Sequence, residues 1–141
     1  MAKRENRLKN YLLEMMGTVW DAQSHEDRFS LGIPDLSYGV AGVNGWIELK
    51  QVEKYPKKSS TPIDLKHFTP SQVNWLRKRG KRAGSCFILI QITTEYYIFS
   101  FHKARLLRAG MTKEKMEEQC IQKWENGIPR IQLLNVLIGD M

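Results

Sequence analysis

Apolar residues recur along the chain with two periods, and the changes of period mark its elements. Leu8, Tyr11, Leu12 and Met15 repeat at helical spacing, predicting a helix over Lys3 to Met16 that Gly17 stops. Thr18 to Ala22 reads as a short strand, and the mostly polar Gln23 to Leu31 as a loop. Pro34 to Val40 and Trp46 to Val52 read as paired strands. They are joined across Ala41-Gly42-Val43-Asn44-Gly45, where Asn-Gly tolerates the positive φ of a hairpin turn. Gln51 to Phe68 is rich in Lys, Ser and Pro and reads as a mobile loop. Thr69 is the expected N-cap and Pro70 the first residue of a helix running to Arg82 or Ala83, before Gly84. Cys86 to Ile92 and Tyr96 to Phe101 are apolar strands joined at Thr93-Thr94-Glu95. Lys103 to Leu107 reads as a short helix ended by Gly110, Thr112 to Trp124 as another helix, and Pro129 to Ile138 as a last strand. This order predicts an α/β fold in which helices flank a central mixed β-sheet. Trp75 and Leu76, with Phe87, Ile88 and Ile90, are expected in the core. Trp46 either walls a site or packs under the first helix.

Composition narrows the function. A length of 141 residues fits one domain, with a core over about 4–101 and C-terminal elements over 102–141. No apolar run is long enough to cross a membrane, and the charged N-terminus leads into no signal segment, so a cytoplasmic protein is expected. Cys86 and Cys120 make no disulfide framework, and His25, His67 and His102 show no zinc spacing. Gly39, Gly42 and Gly45 read as turn chemistry rather than a nucleotide fingerprint, and no small-molecule cofactor is expected. Twenty-two basic against 15 acidic residues give a net charge of +7, which favours a polyanionic partner such as nucleic acid.

The chemistry concentrates in Asp35, Glu48 and Lys50. On a strand Trp46, Glu48 and Lys50 share one face while Ile47 and Leu49 take the other, and Glu48 and Lys50 stand about 7 Å apart. With Asp35 projecting from the partner strand on the same side, two carboxylates and an ammonium converge. Hard oxygen ligands of this kind suit Mg²⁺ or Mn²⁺. An isolated Glu-x-Lys is more often a solvated pair, and Pro-Asp alone is a common turn starter. Their order across a predicted hairpin shifts the balance.

Gly32-Ile33-Pro34-Asp35-Leu36, followed by Trp46-Ile47-Glu48-Leu49-Lys50, resembles the PD-(D/E)xK nuclease superfamily, and within it the virus-type replication-repair nuclease (VRR-NUC) domains, which include phage-encoded proteins. An acidic first helix and the helix start Thr69-Pro70-Ser71-Gln72 extend the resemblance over about Arg4 to Ile92. The resemblance implies a restriction-endonuclease-like core and a metal-dependent DNA endonuclease, selective for branched DNA such as a Holliday junction, and a homodimer if it cuts junctions symmetrically. If phage-encoded, it would work in the host cytoplasm. Asp35, Glu48 and the backbone carbonyl of Leu49 would hold the metal, with Lys50 as the catalytic lysine. Glu5 would approach the metal through water or support a second ion, although Glu14 lies on the same helix. Gln72 would orient Lys50 or the scissile phosphate. His25 would contact phosphate or shuttle a proton, against the alternative of a loop histidine without a catalytic role.

Two basic clusters are candidate DNA contacts. Lys54, Lys57, Lys58 and Lys66 would make the long loop a phosphate-gripping flap, against a plain solvated loop. Arg77, Lys78, Arg79, Lys81 and Arg82 form the second cluster. No base-specific code is evident, so backbone and shape recognition is expected. The rival readings are a non-catalytic DNA-binding module on the same fold, a protein-interaction factor meeting an acidic partner, and a nuclease of RNA.

Overall fold

The computed structural model describes residues 3–26, 32–65 and 67–139, with side chains from residue 6 onward. Strands β1 (Asp21–Ser24), β2 (Leu36–Val40), β3 (Val43–Val52), β4 (Cys86–Ile92), β5 (Glu95–Ser100) and β6 (Gln122–Glu125) form one six-stranded sheet in chain order. Only β3 and β4 pair in parallel, and every other neighbour is antiparallel. A parallel pair needs a crossover connection, supplied here by residues 53–69 and helix α2 (Pro70–Ala83). Helix α1 (Lys3–Met16) and helix α5 (Arg130–Ile138) cover one face. Helix α2 covers the other with the short helices α3 (Ala104–Ala109) and α4 (Lys113–Gln119).

Strand alternation separates two cores. Leu8, Leu12 and Met16 of α1 pack on Leu36, Ile47, Leu49, Phe87 and Leu89. Val73 and Leu76 of α2 pack on Ile88, Ile90 and Phe99 with Phe68. Phe87 therefore belongs to the α1 face, while Leu76, Ile88 and Ile90 share the α2 face, where Trp75 is partly buried. Trp46 also packs on the α2 side and not under the first helix.

Five sequence expectations are corrected. The first strand lies at Asp21–Ser24, because Gly17–Val19 forms a 3-10 turn before it. The β2–β3 hairpin turns at Ala41-Gly42, both with positive φ (49° and 79°), while Asn44-Gly45 lies within β3. The segment read as a mobile loop is tied down. Ile63, Leu65 and Phe68 are buried, and Ile63 N–H donates to the Met111 carbonyl at 2.7 Å. Helix α4 stops at Gln119, and Gln122–Glu125 pairs with β5, seating Trp124 opposite Tyr96. Residues 130–138 are a helix, not a strand, because Leu133, Val136 and Leu137 turn one apolar face into the core and Gly139 closes it at φ 77°.

Candidate active site

Alternation along β3 places Glu48 and Lys50 on the α2 face, with only 1% and 5% of their surfaces exposed. The pairing Leu36–Ile47 fixes what lies beside them. One step beyond that pair, β2 has ended, and the N–H of Leu49 donates to Asp35 Oδ2 at 2.8 Å instead of to a strand. The bond turns the Asp35 carboxylate toward β3, where its charge raises the Glu48 pKa. In a strand a residue's N–H and C=O leave on the same side, so the Leu49 carbonyl also faces the Asp35 side. His25 lies next to this corner. Its N–H donates to the Asp35 carbonyl at 2.9 Å, and its Nε2 is 2.8 Å from Ser37 Oγ.

Lys50 is the hub. Its Nζ donates to the His67 carbonyl at 2.8 Å and to Gln72 Oε1 at 3.0 Å, and it stands 3.1 Å from Glu48 Oε2. Two hydrogen-bond acceptors and one ion-pair partner thus surround the three N–H donors of the lysine. The Phe68 ring lies 5.4 Å away and closes the apolar side. Helix α2 holds Gln72 in position through a capping box. Gln72 N–H donates to Thr69 Oγ1 at 3.2 Å, and Thr69 N–H donates to Gln72 Oε1 at 3.0 Å. Gln72 Oε1 thus joins the helix start to Lys50. Gly32 seats the chain ahead of Asp35 against the same helix start. Its φ is +85°, and a Cβ there would stand 2.3 Å from the Ser71 carbonyl oxygen, so no larger residue fits.

Glu48 is the anomaly. Neither carboxylate oxygen makes a well-formed hydrogen bond among the described residues, although the Lys50 ammonium, 3.1 Å away, and the Asp35 N–H both lie close enough to favour its charged form. Burial first, then the Asp35 carboxylate, push the Glu48 carboxyl up to about 8, against the pull of Lys50 and of the Asp35 N–H. A desolvated, unbonded carboxylate is destabilising unless something binds it. Two carboxylates and a backbone carbonyl are hard oxygen donors of the type Mg²⁺ or Mn²⁺ takes while keeping several waters, so the residues fit such an ion. Among the described residues no group of three His, Cys, Asp or Glu side chains surrounds the position. The Glu5 side chain and Lys66 lie outside the described residues.

The outer surface divides the basic residues. Arg77, Lys78, Lys81 and Arg82 line a shallow groove on α2 with Asn74. Arg79 turns away from them, its guanidinium 4.6 Å from the Trp75 ring and 5.4 Å from Trp46. Lys54, Lys57 and Lys58 are exposed on the anchored segment before α2. Sequence reasoning missed the His67 carbonyl, Phe68 and Ser37. The first is a backbone group and leaves no compositional trace. Ser37 was findable, since it lies two positions beyond Asp35 on the same strand face.

The fold is similar to that of Hjc, a Holliday junction resolvase from the archaeal hyperthermophile Archaeoglobus fulgidus, with a TM-score of 0.51 and 16% identity, over 72% of this chain and 78% of that one. A VRR_NUC domain is also similar, at a TM-score of 0.44 and 22% identity, over 75% of this chain and 95% of that domain. No protein-family profile and no curated protein sequence matches the chain. The Hjc likeness identifies the fold as a resolvase-like, restriction-endonuclease-like α/β core. No helix among the described residues is long and apolar enough to cross a membrane.

Proposed function

We propose that this protein is a Mg²⁺- or Mn²⁺-dependent DNA endonuclease that hydrolyses phosphodiester bonds, with branched DNA such as a Holliday junction as its preferred substrate. The observation that carries the reading is the buried Glu48 carboxylate, set between Asp35 and Lys50 with no well-formed hydrogen bond to either oxygen among the described residues. Asp35, Glu48 and the Leu49 carbonyl would hold the cation, with Glu5 as a further acid on α1. When bound, such a cation supplies Lewis-acid chemistry: polarisation of a phosphate oxygen, a more acidic water and a steadied leaving oxygen.

The chain's own residues supply the rest. The oxygen of a water forms the new bond to phosphorus, and one ester P–O bond breaks with its electron pair passing to the leaving oxygen. The attacking water gives up a proton to solvent, and the leaving oxygen takes one up from solvent. Lys50 orients that water and offsets the charge gathering on the phosphate oxygens. It reaches them by exchanging its Glu48 contact, the one of its three that lacks hydrogen-bond geometry. His67 and Gln72 keep the ammonium in place during that exchange. His25 meets the phosphate from the β2 side. The α2 groove and the exposed Lys54, Lys57 and Lys58 grip the DNA backbone. Symmetric cutting of a junction needs two active sites, so the working form is a homodimer, and a monomer by light scattering would rule symmetric resolution out.

The rival is a non-catalytic DNA-binding module. The α2 groove favours it to the extent that it draws on none of Asp35, Glu48 and Lys50. A labelled panel of linear duplex, single strand, flap and four-way junction, each with Mg²⁺, Mn²⁺ or EDTA, separates the two. Metal-dependent cutting that disappears in Lys50→Ala is the expected result. Salt-sensitive binding with no cutting under either metal would replace the nuclease by the binding module.

A further inference from the structure

Beside the Asp35, Glu48 and Lys50 cluster, three side chains, Trp46, Trp75 and Arg79, build a shelf that the chemistry above leaves unused, with the phosphate-facing His25 at its edge. Trp46 lies two positions before Glu48 on the same strand face, about 7 Å along β3. Trp75 meets it edge-on at 4.9 Å, and His25 leans against it at 5.2 Å. The Arg79 guanidinium covers both indoles, at 4.6 Å from Trp75 and 5.4 Å from Trp46. The shelf differs from the other aromatic contacts on this face. Tyr97 and Phe99 stack with no exposed surface, whereas both tryptophans are partly open and Arg79 is exposed. A cleft of about 390 Å³ runs from Trp46 and Arg79 across β1 and β2, bordered by Gln23, Ser37 and Asn44.

Partly exposed indoles, a guanidinium plane that can swing aside from an exposed arginine, and nearby amide and hydroxyl groups are what an unstacked nucleobase uses. Aromatic stacking accepts any base, and an arginine adds cation–π attraction and reaches the adjoining phosphate. We infer that the Trp46, Trp75 and Arg79 shelf, with His25 at its edge, is a subsite for one unpaired nucleobase of the strand whose phosphate enters the Asp35, Glu48 and Lys50 cluster, an inference that rests on the nucleic-acid reading above. A base inside continuous duplex is stacked on its neighbours, and extruding it costs a few kcal/mol. A base at a branch point or frayed end gives up far less. The subsite therefore selects DNA structure without reading sequence.

The test is quenching of tryptophan emission in EDTA, where cleavage does not intervene. The probes are a short deoxythymidine oligomer and a blunt-ended linear duplex with no unpaired bases, against wild type, Trp75→Leu and Arg79→Gln. Wild type should be quenched more by the single strand. Trp75→Leu should lose most of that quenching and bind the single strand about 5- to 150-fold more weakly, the range of one base–aromatic stack, with duplex binding nearly unchanged. Equal quenching by both probes overturns the inference. So does a Trp75→Leu protein that is folded by circular dichroism and binds the single strand as wild type does. If Trp75→Leu does not fold, the exposed Arg79 decides: a loss confined to the single strand supports the subsite, and an equal loss on both probes overturns it. A protein that stacks a base and never cuts removes the nuclease reading alone, while one that cuts without stacking removes only the subsite.

Discussion

The two faces of β3 are buried to the same depth and do opposite things. Ile47 and Leu49 are 0% and 1% exposed, and Glu48 and Lys50 are 1% and 5% exposed. Each apolar side chain stabilises the fold by roughly 1.5–3 kcal/mol on burial. The charged pair yields no such gain, because taking two charges out of water offsets most or all of their mutual attraction. Glu48 makes no well-formed hydrogen bond among the described residues of the kind that usually accompanies a buried carboxylate. One strand thus carries apolar packing on its α1 face and a buried ion pair on its α2 face.

If that division is sound, substitutions on the two faces should fail in different ways. Lys50→Ala should lower cleavage by about a thousand-fold or more, the scale of removing a positioned charge from a phosphoryl transition state. Its melting temperature should stay close to wild type, since Glu48, whose carboxyl is raised to about 8, already holds a proton at neutral pH and is left without an unpaired charge. Ile47→Ala should lose about 2–5 kcal/mol of stability in a denaturant titration and keep most of its activity per folded molecule. An Ile47→Ala protein that is folded but inactive would break the comparison, because the α1 face would then belong to the site.

The pH dependence of stability sharpens it further. Burial raises the Glu48 carboxyl from 4.5 to about 8, so between those values the folded protein holds a proton that the unfolded chain has released. The resulting stability is fully present below about pH 4.5 and disappears as the pH rises through about 8. Metal-free protein should therefore lose melting temperature across that window, and Glu48→Gln should flatten the loss. Mg²⁺ competes with the proton for the same oxygens, so its apparent affinity should rise over the same window. A melting profile that is identical in wild type and Glu48→Gln would mean that Glu48 is ionised and satisfied without a ligand.

The part of the site that the sequence revealed is the part governed by local rules. Alternation along Trp46 to Lys50 separated the faces of β3, and Thr69-Pro70 announced the start of α2. Register was harder to read. Both Ala41-Gly42 and Asn44-Gly45 are credible turns, and only the first sets Leu36 opposite Ile47 and so brings Asp35 beside Glu48. The later turn would slide β2 along β3 and carry the carboxylates apart. The C-terminal elements were misread because tertiary contacts override their local pattern. Gln122–Glu125 leaves the helical pattern to pair with β5, and 130–138 is helical because Leu133, Val136 and Leu137 must face one way. The His67 carbonyl was invisible because it depends on the path of the chain, not on residue type.

The smallest effect separates positioning from stability at one helix turn. Thr69 and Gln72 share the capping box of α2, and only Gln72 also accepts a hydrogen bond from Lys50. Thr69→Ala and Gln72→Ala should each cost about 1 kcal/mol of stability through the lost cap. Their cleavage rates should diverge. Thr69→Ala leaves the Lys50 acceptor in place and should cut at nearly the wild-type rate when compared at equal folded fraction. Gln72→Ala frees one of the lysine's N–H donors to wander and should cut about ten-fold more slowly, within the range by which misplacement of a catalytic group slows a reaction. The loss should fall on kcat with KM little changed, because the contact orients a group already present and adds nothing to DNA binding. Equal rates in the two variants would reduce Gln72 to a helix cap, leaving Lys50 positioned by the His67 carbonyl and Glu48 alone.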